Sequence, residues 1–444
     1  MNREDVLKML ENRKFKELRE VLENTHPVDI AELLDELDNR PMIFVFRMLD
    51  KDEAAEVFTE MNNDAREVLL NALTDSEIKE VVDEMYLDDF ADLLEEMPAN
   101  VVDHLLLNTD EETRKQVNVL LKYPEDSAGS IMNVEYVAFQ KNMTVEEAIL
   151  KLRQVGINKE TIYTCYVTEK RKLIGVVSVK DLLTSGDNRL IEEIMDTNLL
   201  YVHTHDDQED VASAINKYNL IAIPVVDKEM RMVGIVTVDD AMDVLEEEIT
   251  EDISMMAGIV TPSEDSYFET SVWQHAKSRF PWLLFLMLSA TISGLVLGHF
   301  ETALIAMPIL NTFVPMLTGT GGNCGSQSST LIIRGLATNE IELRHIFKII
   351  LKEVGVALCV GVLLAVVNGI RIMLMYHSLV LALTLGLTLV CTVVLAKAIG
   401  CVLPMVAKKC GLDPALMAAP LITTLVDTGT IFLYFTIATR IFKI

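Results

Sequence analysis

The hydrophobic positions follow different periods in different parts of the chain. In roughly the first 125 residues, apolar side chains recur three and four positions apart, as between Ile30 and Leu37 and between Val81 and Met85. Short polar breaks such as HPVD, NRP, TDSE and MPAN separate these segments, and related phrases return as DIAELLDEL, EAAEVFTEM and DFADLLEEM. Apolar residues at that spacing form one face of a helix, and a recurring phrase indicates stacked repeats. The pattern therefore predicts an all-α superhelix.

Between about residues 130 and 250 the period changes and a longer phrase repeats. LIGVVSVKDLL begins at Leu173 and returns 59 residues later as MVGIVTVDDAM, which begins at Met232. Each phrase follows an extended segment, TIYTCYVTE or LIAIPVVDK, and each extended segment follows a helical pattern. This region is predicted to be α/β, with a strand–turn–strand–helix unit that occurs twice.

From Trp282 onward, apolar runs are long enough for a bilayer, which needs about 20 apolar residues per helix. Five spans are predicted, over 282–298, 303–317 with a continuation into LIIRGL, 346–375, 379–406 and 414–441. Lys and Arg concentrate before the first span, between the second and third, and between the fourth and fifth. Since cytoplasmic loops carry the excess of Lys and Arg, we expect a cytoplasmic amino-terminal half and an external carboxyl terminus.

Charge divides the chain at the same place. The 444 residues carry a formal net charge of −29. From Ala276 onward, twelve Lys and Arg stand against six Asp and Glu, a balance of +6, whereas the preceding 275 residues hold 26 basic and 61 acidic side chains, a balance of −35. Nucleic-acid binding needs a basic surface and is therefore excluded. The balance favours cationic partners for an acidic soluble half joined to a membrane domain.

Two polar features lie within the apolar half. The stretch 315–327, PMLTGTGGNCGSQ, contains four glycines and is expected to break its helix at membrane depth, which is tolerated only inside protein or beside a water-filled path. Asp427 lies about halfway along the fifth span, where an ionised carboxylate costs several kcal/mol unless it meets water, a cation or a partner. A structural Asp bonded to a neighbouring helix is the alternative. Thr423, Thr424 and Thr428 around it favour a cation site in a pore.

An acidic run follows the second strand–turn–strand–helix unit. It holds eight carboxylates in the fourteen residues 239–252. Glu248, Glu251 and Asp252 are spaced three and four apart and share a helix face, where like charges oppose the helix unless cations lie between them. The next segment, SYFETSVWQHAKSRF, predicts an amphipathic connecting helix that leads along the cytoplasmic membrane surface into the first span.

The repeated unit resembles a tandem pair of CBS modules. The pattern G-x-x-[Ser/Thr]-x-x-Asp occurs at Ser178 with Asp181 and at Thr237 with Asp240. In such modules this Asp often holds a ribose hydroxyl. The resemblance therefore implies ATP, or another adenine nucleotide, as a candidate ligand of Asp181.

The order of an acidic helical array, a CBS pair, a connecting (plug) helix and five spans resembles the MgtE family of bacterial magnesium channels. The stretches YPEDSAGSIMNVEYV, GTGGNCGSQSSTLIIRGLAT and DPALMAAPLITTLVDTGTIFLY carry the resemblance. It implies a multidomain membrane protein divided at 1–129, 130–250, 251–280 and 281–444. It also implies a homodimer in the bacterial inner membrane, with a pore on the twofold axis between the second and fifth spans.

The resemblance also implies site residues. The pore carboxylate would be Asp427, with a path lined by Gly319, Gly322, Asn323, Ala419 and Thr423. Regulatory Mg²⁺ would bind at Glu56, Asp88, Asp92, Asp240, Asp243, Glu248, Glu251 and Asp252. The chain departs from the family at Ser326 and Ala419, where Asn is common, and at Asn219, where an acid is common.

These features lead to one expected function. Mg²⁺ keeps several waters, so the pore is expected to hold the hydrated ion and pass it into the cytoplasm. Cytosolic carboxylates would repel one another, by roughly 1 kcal/mol for a pair about 4 Å apart in water, until bound Mg²⁺ draws the domains together and closes the pore. The alternative is a CBS-regulated transporter of broader specificity, including Co²⁺ and Mn²⁺, under nucleotide control.

Other classes fit the sequence less well. A sensor that is merely anchored by its spans does not require the GTGGN stretch or a carboxylate in the middle of the membrane, so these features argue against it. A CBS-gated anion channel would place basic residues at the pore instead of Asp427. A CBS-bearing exporter of the CorC type would not begin with a helical array and end with five spans. An enzyme is not expected, because the sequence contains no Walker loop, G-x-S-x-G or H-E-x-x-H motif.

Overall fold

The structure, a computed structural model, describes residues 3–259, 270–338, 340–417 and 419–443. The chain forms two compact units, Met1–Glu246 and Glu247–Ile444. The first begins with ten short helices: α1 (Arg3–Glu11), α2 (Phe15–Leu22), α3 (Pro27–Asp35), α4 (Asn39–Phe46), α5 (Lys51–Thr59), α6 (Asn63–Ala72), α7 (Asp75–Val82), α8 (Leu87–Glu96), α9 (Ala99–Asn108) and α10 (Glu111–Leu120). The predicted apolar positions form their core, as Ile30, Leu33 and Leu34 do in α3. The helical array is confirmed.

Side-chain caps begin three of the described helices of the array, α6, α7 and α10. Thr74 and Glu77 form a capping box at the start of α7, and the Asp110 carboxylate accepts backbone N–H bonds at the start of α10. Pro27 stands at the first position of α3, where its missing N–H costs no hydrogen bond. Helix ends of this kind are satisfied locally, which keeps the helices short.

Two three-stranded sheets follow, as the repeat predicted. The first repeat contains β1 (Ala138–Phe139), α11 (Val145–Val155), a 3₁₀ turn (Gly156–Asn158), β2 (Thr164–Glu169), β3 (Lys172–Ser178), α12 (Val179–Thr184) and α13 (Ile191–Ile194). The second contains β4 (Val202–His203), α14 (Gln208–Tyr218), β5 (Ala222–Val226), β6 (Met232–Thr237) and α15 (Val238–Met256). In each sheet the first strand pairs parallel to the second, and the second pairs antiparallel to the third.

The two repeats differ in what they pack against. Cys165, Val167 and Val177 of the first sheet lie in a core that this repeat keeps to itself. Val225 and Val236 of the second sheet instead join one continuous core with the helical array. The array and the second repeat therefore pack as one body, which fixes the carboxylates at their junction.

The second unit is all-α. It contains α16 (Val272–His299), α17 (Glu301–Ala306), α18 (Val314–Ala337), α19 (Ile346–Tyr376), α20 (Leu379–Lys409) and α21 (Ala419–Phe442), with 3₁₀ turns at Pro308–Phe313, Leu343–His345 and Pro414–Met417. Within the described ranges, four helices are long and apolar enough to cross a membrane: α16, α19, α20 and α21, two of them counted with the turn before them. The more polar α18 packs against both α20 and α21. A fifth crossing by α18 stays a prediction.

The expected helix break at 315–327 is wrong, because α18 runs unbroken through this stretch. Its buried glycines allow close helix packing instead. A Cβ atom on Gly321 would lie 2.8 Å from side-chain carbons of Thr392 and Val426, and one on Gly325 would lie 2.6 Å from Ile422. Small residues four apart let membrane helices approach closely, and this packing offsets the low helix propensity of glycine.

The predicted connecting helix is divided between two elements. The acidic run belongs to α15, which continues from the second repeat as far as Met256. A capping box of Ser271 and Gln274 begins α16, which extends without interruption to His299. Residues 260–269, which include the start of the predicted amphipathic segment, lie outside the described residues.

An ion pair is buried within the membrane unit. The Lys397 Nζ of α20 lies 3.2 Å from Glu353 Oε2 of α19 and 3.0 Å from Ser328 Oγ of α18, and Ser328 donates to the same carboxylate oxygen at 2.7 Å. The Lys397 and Glu353 side chains are 7% and 14% exposed. The side chains of Lys397, Glu353 and Ser328 thus join three helices, and the buried charges of Lys397 and Glu353 neutralise each other.

We expect Lys397→Met to destabilise the chain strongly. The substitution leaves the Glu353 carboxylate buried without its cation, which costs about 3–5 kcal/mol for a buried pair. Combining it with Glu353→Gln removes the unpaired charge and is expected to restore most of the loss. Thermal unfolding of the purified full chain in detergent, followed by helical circular dichroism, measures both, with Lys409→Met at an exposed position as the control. Unchanged unfolding of the single variant would contradict the expectation.

Candidate functional site

An acidic cavity of about 470 Å³ lies in the first unit, where the array meets the two repeats. Its described lining holds a single guanidinium, that of Arg66, which pairs with Glu96 at 2.9 Å. Ten carboxylates share the lining: Glu56, Glu60, Asp88, Asp89, Asp92, Glu96, Glu160, Asp239, Asp240 and Asp243. The cavity therefore has a large local surplus of negative charge.

Two helices supply most of these carboxylates. Helix α8 contributes Asp88, Asp89 and Asp92, and the first turns of α15 contribute the acids that follow Thr237. The Asp240 carboxylate caps the start of α15, because its Oδ2 accepts the Thr237 hydroxyl at 2.5 Å and the Thr237 backbone N–H at 3.3 Å. This cap fixes Asp240 at the helix start, where it faces the array.

Asn133 joins the two sides of the cavity. Its fully buried Nδ2 donates to Asp88 Oδ1 at 3.0 Å and to Glu160 Oε2 at 3.1 Å. Its backbone exchanges two hydrogen bonds of 2.8 Å with Ile235 of β6. The linking stretch 123–137 therefore holds carboxylates of the array and of the first repeat at a set distance from the second sheet.

The carboxylates raise one another's proton affinity. Burial, and then the repulsion of neighbouring carboxylates, raises the pKa of Asp92 and of Glu160 to about 7. The same two causes raise the pKa of Asp89 to about 6 and that of Asp88 well above its usual range. Burial also raises the pKa of Asp240. Burial and mutual repulsion thus oppose the ionisation of these carboxylates, and a nearby positive charge would favour it.

The spacing of these groups fits a hydrated ion better than a bare one. Among the residues described, no three His, Cys, Asp or Glu side chains converge as direct ligands of one ion. Mg²⁺ dehydrates reluctantly and usually keeps several waters, so carboxylates at wider spacing bind it through hydrogen bonds from those waters. The volume of the cavity leaves room for such an ion.

We expect the stability of this unit, without metal, to fall as pH rises. A carboxylate whose pKa is higher in the folded state makes that state bind more protons than the unfolded chain between the two pKa values. For Asp89, Asp92 and Glu160 this window extends from about 4, the unfolded value, to about 7. Hydrogen exchange of the full chain should therefore show α8 less protected at about pH 8 than at about pH 5, after correction for intrinsic rates.

Added Mg²⁺ should restore protection of α8 at the higher pH and change little at the lower one, because protons compete with the ion. Helices α1 and α2, which contribute nothing to the cavity lining, serve as the internal control. Protection of α8 that is independent of both pH and Mg²⁺ would show that the cavity carboxylates carry no such linkage.

The other predicted regulatory acids lie elsewhere. Glu248, Glu251 and Asp252 are on the second half of α15 and do not line the cavity. Burial, followed by the nearby carboxylates of Asp413 and Glu251, raises the pKa of Asp252 to about 6. Asp413 precedes the turn before α21 and accepts the Ala415 N–H at 2.6 Å. The Asp252 carboxylate of α15 is therefore close enough to Asp413 for the two charges to repel each other, within the membrane unit.

The first repeat contains the same cap as the second. The Ser178 hydroxyl donates to Asp181 Oδ2 at 2.5 Å, and the Asp181 N–H donates back to Ser178 Oγ at 3.1 Å. The motif that predicted a nucleotide ligand at Asp181 therefore also forms the cap of α12. Asp181 is nevertheless exposed, and the Ser178 hydroxyl and N–H both bond to its Oδ2. The residue present fits a ribose hydroxyl at Oδ1.

Asp427 lies in the middle of α21 with its side chain partly exposed. No hydrogen bond or ion pair joins its carboxylate to any described residue. The alternative of a structural Asp bonded to a neighbouring helix therefore finds no support. The Thr424 hydroxyl donates to the Pro420 carbonyl at 3.0 Å and the Thr428 hydroxyl donates to the Thr424 carbonyl at 3.1 Å, while Thr428 Oγ1 also lies 2.5 Å from Ser293 Oγ of α16.

Helix α18 presents an exposed polar stripe. Gly319, Asn323, Gln327 and Thr330 are exposed at helical spacing, whereas the glycines between them are buried against neighbouring helices. A Cβ atom on Gly322 would lie 2.9 Å from Thr423 Cγ2, so the predicted pore residues of α18 and α21 are in contact at that position. The side chain of Ala419 lies outside the described residues.

Sequence reasoning missed several cavity residues. Asp89 and Asp239 each adjoin a predicted site acid, and a helical projection of the acidic phrases would have included them. Glu160 and Asn133 had no such signal, because they lie in irregular segments of the first repeat and the linking stretch. Only the packing of three distant segments brings them beside α8.

Comparison with known families gives matches over most of the chain. A family described as the MgtE divalent cation transporter matches residues 314–437, the MgtE intracellular N domain matches 25–126, and the CBS domain matches 128–187 and 191–247. The chain is 40% identical to the magnesium transporter MgtE of Thermus thermophilus, over 95% of this chain and 94% of that protein. It is 32% identical to the magnesium transporter MgtE of Bacillus subtilis, over 98% and 96% respectively.

Solved structures match the amino-terminal half. The crystal structure of the cytosolic domain of the Mg²⁺ channel MgtE in complex with ATP superposes with a TM-score of 0.52 at 39% identity, over 55% of this chain and all of that one. The soluble part of a magnesium transporter superposes with the same TM-score at 32% identity, over 55% of this chain and 97% of that one.

Proposed function

Because this chain belongs to the MgtE family of magnesium transporters, we propose that it conducts Mg²⁺ into the cytoplasm and closes when cytosolic Mg²⁺ fills its acidic cavity. Members of the family are named transporters, a non-enzymatic function, and carry an intracellular amino-terminal domain. The observation that carries the gating proposal is the cavity itself, in which ten carboxylates face one guanidinium.

The pore is proposed to lie along α18 and α21. The exposed polar stripe of α18 and the unpartnered Asp427 of α21 are both costly in contact with lipid and both suited to a water-filled path. A homodimer that places two such surfaces around a twofold axis would cover the stripe and set two Asp427 carboxylates across the path. Hydroxyl and backbone oxygens would then hold the water shell of the ion rather than replace it.

Closure is proposed to follow from differential binding. Without Mg²⁺, the cavity carboxylates repel one another and oppose the compact arrangement of array and repeats. Mg²⁺ stabilises the form that binds it better, and the equilibrium shifts by that difference in binding free energy. Glu248, Glu251 and Asp252 are proposed as further regulatory ligands, since α15 is one continuous helix from the cavity acids to these residues.

Two further assignments complete the proposal. The distribution of Lys and Arg around the spans supports a carboxyl terminus outside the cell. ATP is proposed to bind the CBS pair with its ribose at Asp181, supported by the second carboxylate oxygen there and by the ATP complex of a similar cytosolic domain. The nucleotide would act on the stability of the repeats, without hydrolysis.

The test is ion flux into liposomes that contain the purified full chain. We expect Mg²⁺ entry that falls as Mg²⁺ is raised on the side facing the cytosolic unit. A scan with Mn²⁺, Co²⁺ and Ca²⁺ separates the proposal from its alternative, because a hydrated-ion site should favour Mg²⁺, whereas a transporter of broad specificity passes Co²⁺ and Mn²⁺ equally well. Flux of Mg²⁺ no greater than in empty liposomes would overturn the proposal.

A further inference from the structure

A second cavity, of about 500 Å³, lies in the membrane unit beside the end of α18 and the start of α19. Its lining combines apolar side chains with cations, and includes Arg334, Lys348 and Lys352 together with His345. The cavity lies at the cytoplasmic end of these spans, as the distribution of Lys and Arg predicts it. None of the site residues discussed above belongs to it.

The three long cations of this cavity have no counter-ion among the residues that the structure describes. Among the described residues, no hydrogen bond or ion pair engages the side chains of Arg334, Lys348 or Lys352. The cavity contains two acids, Glu340 and Glu353, and the second is committed to Lys397 and Ser328. The lining therefore keeps a net positive charge that the protein does not neutralise.

The arrangement of these cations calls for an anion. Lys348 and Lys352 are four residues apart on α19, a spacing at which like charges destabilise a helix. Lys348 also lies in the first turn of α19, where the helix dipole already favours negative charge. One anionic group between the two lysines would relieve both effects at once.

The surroundings of the cavity point to a lipid as the source of that anion. Leu331 on its wall is 58% exposed, and Phe347 and Leu351 on the adjacent faces of α19 are 84% and 75% exposed. Such apolar surface suits acyl chains, while basic pockets between spans at the cytoplasmic surface suit anionic headgroups. A free phosphate would use the cations and leave the apolar wall uncovered.

We propose that this cavity binds the phosphodiester headgroup of an anionic phospholipid, with Arg334, Lys348 and Lys352 as its ligands and the acyl chains along Leu331 and Leu351. Glu353 is part of the cavity wall, and its carboxylate is bonded to Ser328 of α18. A bound lipid therefore braces the junction of α18 and α19 next to the buried ion pair.

The test measures lipid retained by the full chain. Purified protein is equilibrated with mixed micelles of phosphatidylglycerol and phosphatidylcholine in equal parts, washed, and analysed by quantitative lipid mass spectrometry. The unmodified protein should retain phosphatidylglycerol preferentially, and Arg334→Gln/Lys348→Gln/Lys352→Gln should reduce that preference by about tenfold. Lys277→Gln/Arg279→Gln/Lys409→Gln removes the same charge from exposed positions outside the cavity lining and should change that preference less than about twofold. Equal preference in both triple variants would overturn the site.

Two further measurements separate the sources of the anion and need no variant. Inorganic phosphate added to the unmodified protein should leave phosphatidylglycerol bound; complete displacement by phosphate would make this a phosphate site and overturn the lipid assignment. A photoreactive phosphatidylglycerol should label residues 331–353 above the other spans. Even labelling of all apolar helices, or occupation of the cavity by an acidic segment of the chain that blocks labelling, would also overturn it.

Discussion

Asp427→Asn is expected to abolish Mg²⁺ entry while leaving the fold intact. The substitution keeps the size of the side chain and removes the one ionisable group in the middle of α21. Its carboxylate has no partner among the described residues, so no structural bond is lost. We expect flux to fall about 100-fold, or about 2.8 kcal/mol, which is less than the roughly 4 kcal/mol of one charge pair 4 Å apart at an effective dielectric of 20.

Flux into liposomes, recorded with an entrapped Mg²⁺ indicator, measures the effect. Glu301→Gln is the matched control, because Glu301 is an exposed acid at the start of α17 in the same unit. Size-exclusion chromatography and thermal unfolding show whether the variant still folds and assembles. Normal flux in a folded Asp427→Asn protein would remove Asp427 from the pore.

Neutralising the acidic cavity is expected to keep the channel open at Mg²⁺ concentrations that close the unmodified protein. Asp89→Asn/Asp92→Asn/Glu160→Gln removes charge from both the array and the first repeat; it leaves the Asn133–Asp88 bond untouched, and an amide oxygen at position 160 can still accept from Asn133. With fewer carboxylates in the cavity, Mg²⁺ binds the closed form less tightly and stabilises it less relative to the open form. We expect the Mg²⁺ concentration for half-closure to rise about tenfold or more, which corresponds to at least about 1.4 kcal/mol of lost coupling.

Patch recordings from reconstituted membranes, with Mg²⁺ varied on the cytosolic face, measure this shift. Glu36→Gln/Asp64→Asn/Asp103→Asn is the matched control, because it removes three exposed acids of the same unit that do not line the cavity. A general effect of net charge would move both variants together. If the cavity variant closed at the same Mg²⁺ concentration as the unmodified protein, the cavity would not be the gating site. Gating would then depend on the acids of α15 or on other residues.

The carboxylate of Asp427 and those of the acidic cavity differ in how well the sequence alone predicted them. Asp427 was identifiable from the chain alone, because an acid in the middle of a long apolar run is costly wherever the neighbouring helices lie. Asp88 and Asp92 were identified by family resemblance, and the structure places them beside Asp240 and Asp243 in one cavity. No local sequence pattern predicted the hydrogen bonds from Asn133 to the cavity carboxylates Asp88 and Glu160.

The GTGGN stretch shows the opposite case. Four glycines within thirteen residues predicted a broken helix because glycine has low helix propensity. In the structure Gly321 and Gly325 face Thr392, Val426 and Ile422, so close packing against α20 and α21 compensates for that propensity. Propensity is a property of single residues, whereas packing depends on which helices are neighbours, and this information is absent from the local sequence.

The sequence by itself determined the period of each segment and therefore its type: short stacked helices, two strand–turn–strand–helix repeats, and long apolar helices. These follow from side-chain spacing, which acts within a few residues. Only the tertiary structure decided that α18 is unbroken, that Glu160 lines the acidic cavity and is bonded to Asn133, and that Arg334, Lys348 and Lys352 share a second cavity. Charges and small residues act through space, so their consequences depend on contacts between segments far apart in the chain.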